Sequence, residues 1–211
     1  MTTTRRLAVF LSGGGRTLAN LFERIDSGDL EAKIGLVLSN RADAFGLERA
    51  RERGVAIAVL DPDRHLDDEA FSRAAFALCE AADCGTVVLA GFLRILRVPP
   101  SWSGRVLNVH PSLLPAFGGR GFYGMRVHRA VKEAAVRETG CTVHLVTDEV
   151  DAGPILLQRR VPVLPADTPE DIAARVFEEE KLALPAALRA HLAERDSFER
   201  GPAARDFADR A

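Results

Sequence analysis

No stretch of this 211-residue chain stays apolar for long. The longest apolar runs, Val55–Leu60 and Ala74–Cys79, are six residues each, and Leu7–Leu11 is five. A bilayer-spanning helix takes about 20, so no membrane partner is expected. The N-terminus, MTTTRRLAVFLSGGG, sets two arginines before the first run, as a secretory signal does. That run is shorter than the ~7–15 residues of a signal core and ends in glycines, so it reads as a first strand. A surplus of charge is also missing. Lys and Arg number 28 against 30 Asp and Glu, a net charge of −2. Chains that live on phosphate-backbone contacts are ordinarily basic, so nucleic acid is not expected as a partner. Cysteine is scarce as well. Cys79, Cys84 and Cys141 are odd in number and lack the spacing of a metal site, so no metal is expected. They read as small buried hydrophobes in a reducing, cytoplasmic setting. Internal repeats and low-complexity segments are absent.

What is present is ordinary globular usage, 47% hydrophobic and 27% charged, which excludes a largely disordered chain. At this length one core can bury about 70% of the unfolded surface. Residues 1–195 are expected to form one domain and 196–211 a mobile tail without hydrophobic periodicity. The composition leaves the oligomeric state open.

Strand and helix patterns alternate. Strands are predicted at 7–11, 33–38, 55–60, 86–90, 105–110, 141–146 and 155–163, the most apolar, Thr86–Ala90, at the centre. Helices are predicted after Gly15 and over 44–53, 67–82 and 126–137. The last one opens at Thr168-Pro169-Glu170-Asp171, where Thr168 caps, Pro169 takes the first position and Asp171 reaches back. Pro185 is expected to kink or end it. The fold class is therefore α/β: a mostly parallel, Rossmann-like twisted sheet with helices on both faces and an antiparallel addition at one edge. Ligands of such sheets bind beyond the carboxyl ends of the strands.

Three segments stand where a ligand is expected. Ser12-Gly13-Gly14-Gly15-Arg16-Thr17 leaves a strand and enters a helix. It is either a phosphate cradle at a helix N-terminus or a plain tight turn, and it matches neither the P-loop nor the dinucleotide fingerprint. Asn108 and His110 point to one face at a strand end while Val109 faces away. They are either an amide and an imidazole for an oxyanion and a proton, or a satisfied polar strand end. Asp148-Glu149-Val150-Asp151-Ala152-Gly153-Pro154 is a solvated turn, or it brings a carboxylate to His110 and raises its pKa. His144, on a strand, reads by itself as a packed, hydrogen-bonded histidine.

Taken together, NVHPSLLP (108–115) followed by Asp-x-Gly-Pro (151–154) resembles the folate-dependent formyltransferases. SGGGRTL (12–18), SNRADAFGLERA (39–50), VVLAGFLRIL (87–96), TVHLVTDEVDAGPILLQ (142–158) and Glu180-Lys181 extend the resemblance over about residues 7–190. It implies formyl transfer from 10-formyltetrahydrofolate, as co-substrate and without a metal, to the amine of glycinamide ribonucleotide in purine synthesis. It further implies that Asn108, His110 and Asp151 are catalytic and that His144 supports them. Gly15, Arg16 and Thr17 would hold the substrate phosphate and Glu180 its sugar. Leu93, Arg94, Ile95, Leu96, Asn108, Val146 and Asp148 would hold the folate. An amino-sugar formyltransferase, a formyl-folate hydrolase and a non-catalytic nucleotide-binding module are the competing readings. A methionyl-tRNA formyltransferase would carry a further basic C-terminal domain of about 100 residues.

Three departures from the family pattern stand out. Gly14 replaces a frequent amide-bearing residue and Arg16-Thr17 replace Ser-Asn. Asp68 stands where many members have arginine, with Arg64 or Arg73 as the expected substitute. Phe117–Met125 is longer than the usual loop.

Overall fold

Strand β1 (Arg6–Leu11) divides its side chains between two cores. Leu7, Val9 and Leu11 face one, Ala8 and Phe10 the other, and all are fully buried. A strand covered on both faces reads as a continuous apolar run, which is why LAVFL shows no alternation. The computed structural model describes residues 5–61 and 67–199. After β1 come α1 (Arg16–Asp26), β2 (Lys33–Ser39), α2 (Phe45–Glu52), β3 (Ala56–Val59), α3 (Asp68–Ala81), β4 (Thr86–Leu89), β5 (Val106–His110), α4 (Met125–Glu133), β6 (Glu138–Leu145), β7 (Ile155–Pro162) and α5 (Pro169–Glu199).

The strands form one seven-stranded sheet in the order β3-β2-β1-β4-β5-β6-β7. The first five in that order are parallel, and β6 and β7 are antiparallel. This is the expected α/β architecture, with β4 at the centre and the antiparallel pair at one edge. Residues of α1, α2, α4 and α5 fill one core, while α3 supplies Phe71, Phe76 and Cys79 to the other. Among the described residues no helix is long and apolar enough to cross a membrane.

Three expectations change. The helix predicted to reach 137 ends at Glu133, and β6 begins at Glu138 rather than 141. The earlier start follows from β7, which offers partners back to Pro162 opposite Glu138. Of the two outcomes expected at Pro185, a kink or an end, the end does not occur, since α5 runs through it. A proline lacks the N–H that would bond the carbonyl four residues back. Here that carbonyl, of Lys181, accepts the buried Asn20 side-chain amide from α1 at 3.1 Å, so the helix continues. Finally, α5 runs to Glu199 and takes in residues 196–199 of the expected tail. Buried Asp196 pairs with Arg5 at 2.6 Å there. The remainder, 200–211, lies outside the described residues.

Candidate active site

Alternation along β5 sends Leu107 and Val109 into one core and turns Asn108 and His110 to the opposite face. The antiparallel register then sets Asn108 opposite His144 and His110 opposite Thr142. Asn108 Nδ2 donates to His144 Nε2 at 3.1 Å, and His144 Nδ1 donates to the Leu145 carbonyl at 2.9 Å.

Asp151 arrives from the turn between β6 and β7. That turn folds tightly onto β6: Leu145 N–H bonds the Pro154 carbonyl at 2.9 Å, and a Cβ on Gly153 would lie 1.9 Å from the Leu145 oxygen. The Asp151 carboxylate faces His110 Nδ1 at 3.5 Å and His144 Nε2 at 3.6 Å, and it accepts the Gly119 N–H at 3.0 Å. Burial alone would raise its pKa. His144, His110 and the Gly119 N–H outweigh burial and hold the carboxyl below its ordinary value.

His110 behaves differently from the expectation. Its Nε2–H donates to the Phe117 carbonyl at 2.8 Å, and both that bond and Asp151 favour the charged ring. Burial opposes them and wins, so the His110 pKa lies below 6.5 rather than above it.

A cavity of about 400 Å³ opens in front of these groups. Leu93, Arg94, Ile95, Leu96, Val146 and Asp148 line it, together with Asn108, His110, His144 and Asp151. Every residue expected to hold folate is therefore in one wall. Among the described residues no group of three or more His, Cys, Asp and Glu is arranged to hold a metal.

The glycine loop is not part of that cavity wall. Gly15 caps α1 with φ 69°, and no side chain caps the helix, so its first N–H groups are left open. A Cβ at Gly15 would sit 2.6 Å from the Gly46 Cα, so close packing on α2 by itself demands glycine there. Thr17 is half-buried in the first turn of α1. Arg16 lies 4.2 Å over the Phe177 ring of α5. Burial pushes the carboxyl of Glu180, one helical turn on, up to about 7, with Arg16 opposing. His128 of α4 stands between the two regions. Burial, His110 and Arg16 press its pKa down to about 4.

Residues 5–188 match the family described as formyl transferase. The chain belongs to the formyl transferase family. It is 42% identical over 190 residues to the trifunctional purine biosynthetic protein adenosine-3 of Gallus gallus, covering 89% of this chain and 18% of that one. It is 39% identical to the phosphoribosylglycinamide formyltransferase of Escherichia coli, covering 85% and 83%. The crystal structure of glycinamide ribonucleotide transformylase 1 from Symbiobacterium toebii superposes with a TM-score of 0.85 at 39% identity, covering 92% and 91%. The chain spans less than two thirds of the length of the chicken protein and of the chloroplastic plant relatives it matches.

Three features of this formyl transferase escaped sequence reasoning. The Phe117 carbonyl and the Gly119 N–H act through backbone, for which the only signal is the glycine-rich insert itself. Ser12 joins the glycine loop to the cavity wall by accepting the Leu93 N–H at 2.8 Å while donating to Asn40 at 2.6 Å. Phe177, beneath the Arg16 guanidinium, belongs to no motif of its own. Of the proposed substitutes for the missing arginine, Arg64 lies outside the described residues and Arg73 is paired with Glu69 at 2.7 Å. Asp68 itself pairs with Arg94 at 3.3 Å.

Proposed function

We propose that this chain transfers the formyl group of 10-formyltetrahydrofolate to the glycinamide amine of glycinamide ribonucleotide, a step of de novo purine synthesis. One observation carries the reading: Asn108, His110, His144 and Asp151 converge at the wall of a cavity lined by residues 93–96. An uncapped helix start flanked by Arg16 supports the anionic end of the acceptor, because open N–H groups and the helix dipole favour a phosphate. The electrostatic influence of Arg16 on Glu180 supports a role for that carboxyl toward the adjoining sugar.

The amine attacks the formyl carbon, a C–N bond forms, and the carbonyl oxygen becomes an oxyanion. Asn108 Nδ2 and His110 Nε2 are the side-chain donors facing that oxygen, the latter exchanging the Phe117 carbonyl for it. One preorganised donor of this kind contributes about 3–4 kcal/mol to the transition state. As charge develops, His110 Nδ1 takes a proton from solvent, which the ionised Asp151 stabilises and which is given back to solvent as the oxyanion collapses. Collapse of the intermediate breaks the bond to N10, which takes a proton as the acceptor nitrogen loses one. Free, buried cysteines at 79, 84 and 141 support a reducing, cytoplasmic setting.

The test is an assay with formyl-folate and three competing acceptors: glycinamide ribonucleotide, water and an amino sugar. Turnover with the ribonucleotide at rates far above the other two is expected. Preferential formylation of the amino sugar, or simple hydrolysis, would sink the assignment.

A further inference from the structure

We infer that Arg120, in the Phe117–Met125 insert, binds the carboxylate tail of the formyl donor and sets the enzyme's preference for glutamylated folates. This rests on the proposed donor, 10-formyltetrahydrofolate. The cations lining the cavity are Arg94 and Arg120, and the lining carboxylates are Asp148 and Asp151. Arg94 is already engaged. Its guanidinium lies 4.5 Å over the Phe71 ring and pairs with Asp68 at 3.3 Å, so its charge meets a carboxylate of the protein. Exposed Arg120 has no hydrogen-bond, ion-pair or ring partner among the described residues. It is the lining cation left for an incoming anion.

The chemistry of the donor fixes where that anion must be. In a folate the benzoyl-glutamate arm is attached at N10, the atom that carries the formyl group. A formyl carbon held at Asn108 and His110 therefore starts the arm at the same point. Arg120 directly follows Gly119, whose N–H bonds Asp151 at 3.0 Å, and it follows by three residues Phe117, whose carbonyl holds His110 at 2.8 Å. The insert is thus anchored to the reacting end of the cavity on both sides of its first turn. Gly119 and Gly121 flank Arg120 with φ of 88° and 93°, a backbone that side chains other than glycine resist. Exposed Leu93 and Tyr123, with Phe122, line the same cavity and give it the apolar surface a benzoyl ring requires. A planar guanidinium pairs with carboxylates in bidentate fashion, and the glutamyl end presents them.

The experiment compares tetrahydrofolate with tetrahydropteroate, which lacks the glutamate, by calorimetric binding, and their 10-formyl forms by KM. The wild type should favour the glutamylated ligand. Arg120→Gln should reduce that preference by roughly 3- to 10-fold, the range for one partly exposed charge-assisted contact. Arg120→Lys should keep part of it. Asp68→Asn, which releases Arg94, should enlarge it. A preference unchanged in Arg120→Gln, or an equal weakening of both ligands, overturns the role of Arg120. A wild type that binds neither ligand overturns the folate reading itself.

Discussion

Asp151 sits at φ 56° in its turn, a conformation that asparagine also tolerates. Asp151→Asn therefore keeps the fold and the acceptor for the Gly119 N–H while removing the charge that faces His110. The His110 pKa, already below 6.5 through burial, should fall further because its principal opposing influence is gone. We expect kcat to drop about 10²–10⁴-fold with little change in KM, since the interaction matters as charge develops. A pH–rate profile beside an NMR titration of His110 checks this; near-normal kcat with an unmoved imidazole would leave Asp151 a mere turn residue. The glycine loop allows an equally local test. Gly15 is committed to packing against Gly46, but a Cβ at Gly14 meets nothing within 4 Å. Gly14→Val should fold normally and raise KM for the ribonucleotide while folate binding is retained. Unchanged ribonucleotide affinity by calorimetry would mean that the loop does not hold the phosphate.

At the scale of elements, one side-chain amide of α1 reaches into α5, beside the shared apolar core and the Arg16–Phe177 contact. The Lys181 carbonyl, orphaned by Pro185, has Asn20 as its donor. Asn20→Ala should cost about 1–3 kcal/mol, the penalty for a buried acceptor left unmade. Pro185→Ala restores the N–H four residues on, so the same Asn20→Ala change should cost clearly less in that background. Chemical denaturation of the four proteins in the cycle measures the coupling, and additive losses would show that the two sites are independent. The start of α5, by contrast, is local. Thr168 and Asp171 exchange hydrogen bonds of 2.9 and 3.1 Å as a reciprocal cap, as their spacing predicts.

Across the whole molecule, burial shifts the pKa of His128 down and that of Glu180 up. His128 has a folded pKa near 4 against an ordinary 6.5. The unfolded chain takes up the proton first as pH falls, so stability is lost between pH 6.5 and 4, by up to about 3 kcal/mol at 1.36 kcal/mol per unit. Glu180 is raised from 4.5 to about 7, so the unfolded chain releases its proton first and stability is lost as pH rises through that window. The two trends oppose each other, and because burial also holds His110 and His191 below 6.5, the wild-type Tm should rise on balance between pH 5 and 7. Glu180→Gln removes one side of the balance. Its Tm should climb with pH more steeply than the wild type's, and that of His128→Gln less steeply; calorimetric scans at half-unit pH intervals give the answer. Parallel curves for all three proteins would show that neither group is linked to folding.

The chain's periodicities and caps are local, and the sequence by itself determined what depends on them: the order of strands and helices, the apolar central strand, the shared face of Asn108 and His110, and the Thr168 cap. Motif order also marked the cavity wall at 93–96 and the Asp151 turn. Only tertiary structure decided the rest, because each remaining feature balances groups distant in sequence. Whether Asp151 or burial governs His110 depends on how deeply three strands and the insert enclose the ring. Whether Pro185 ends a helix depends on an asparagine that packing delivers from α1. Whether Arg94 is free depends on Asp68 reaching it across the space between α3 and the cavity wall.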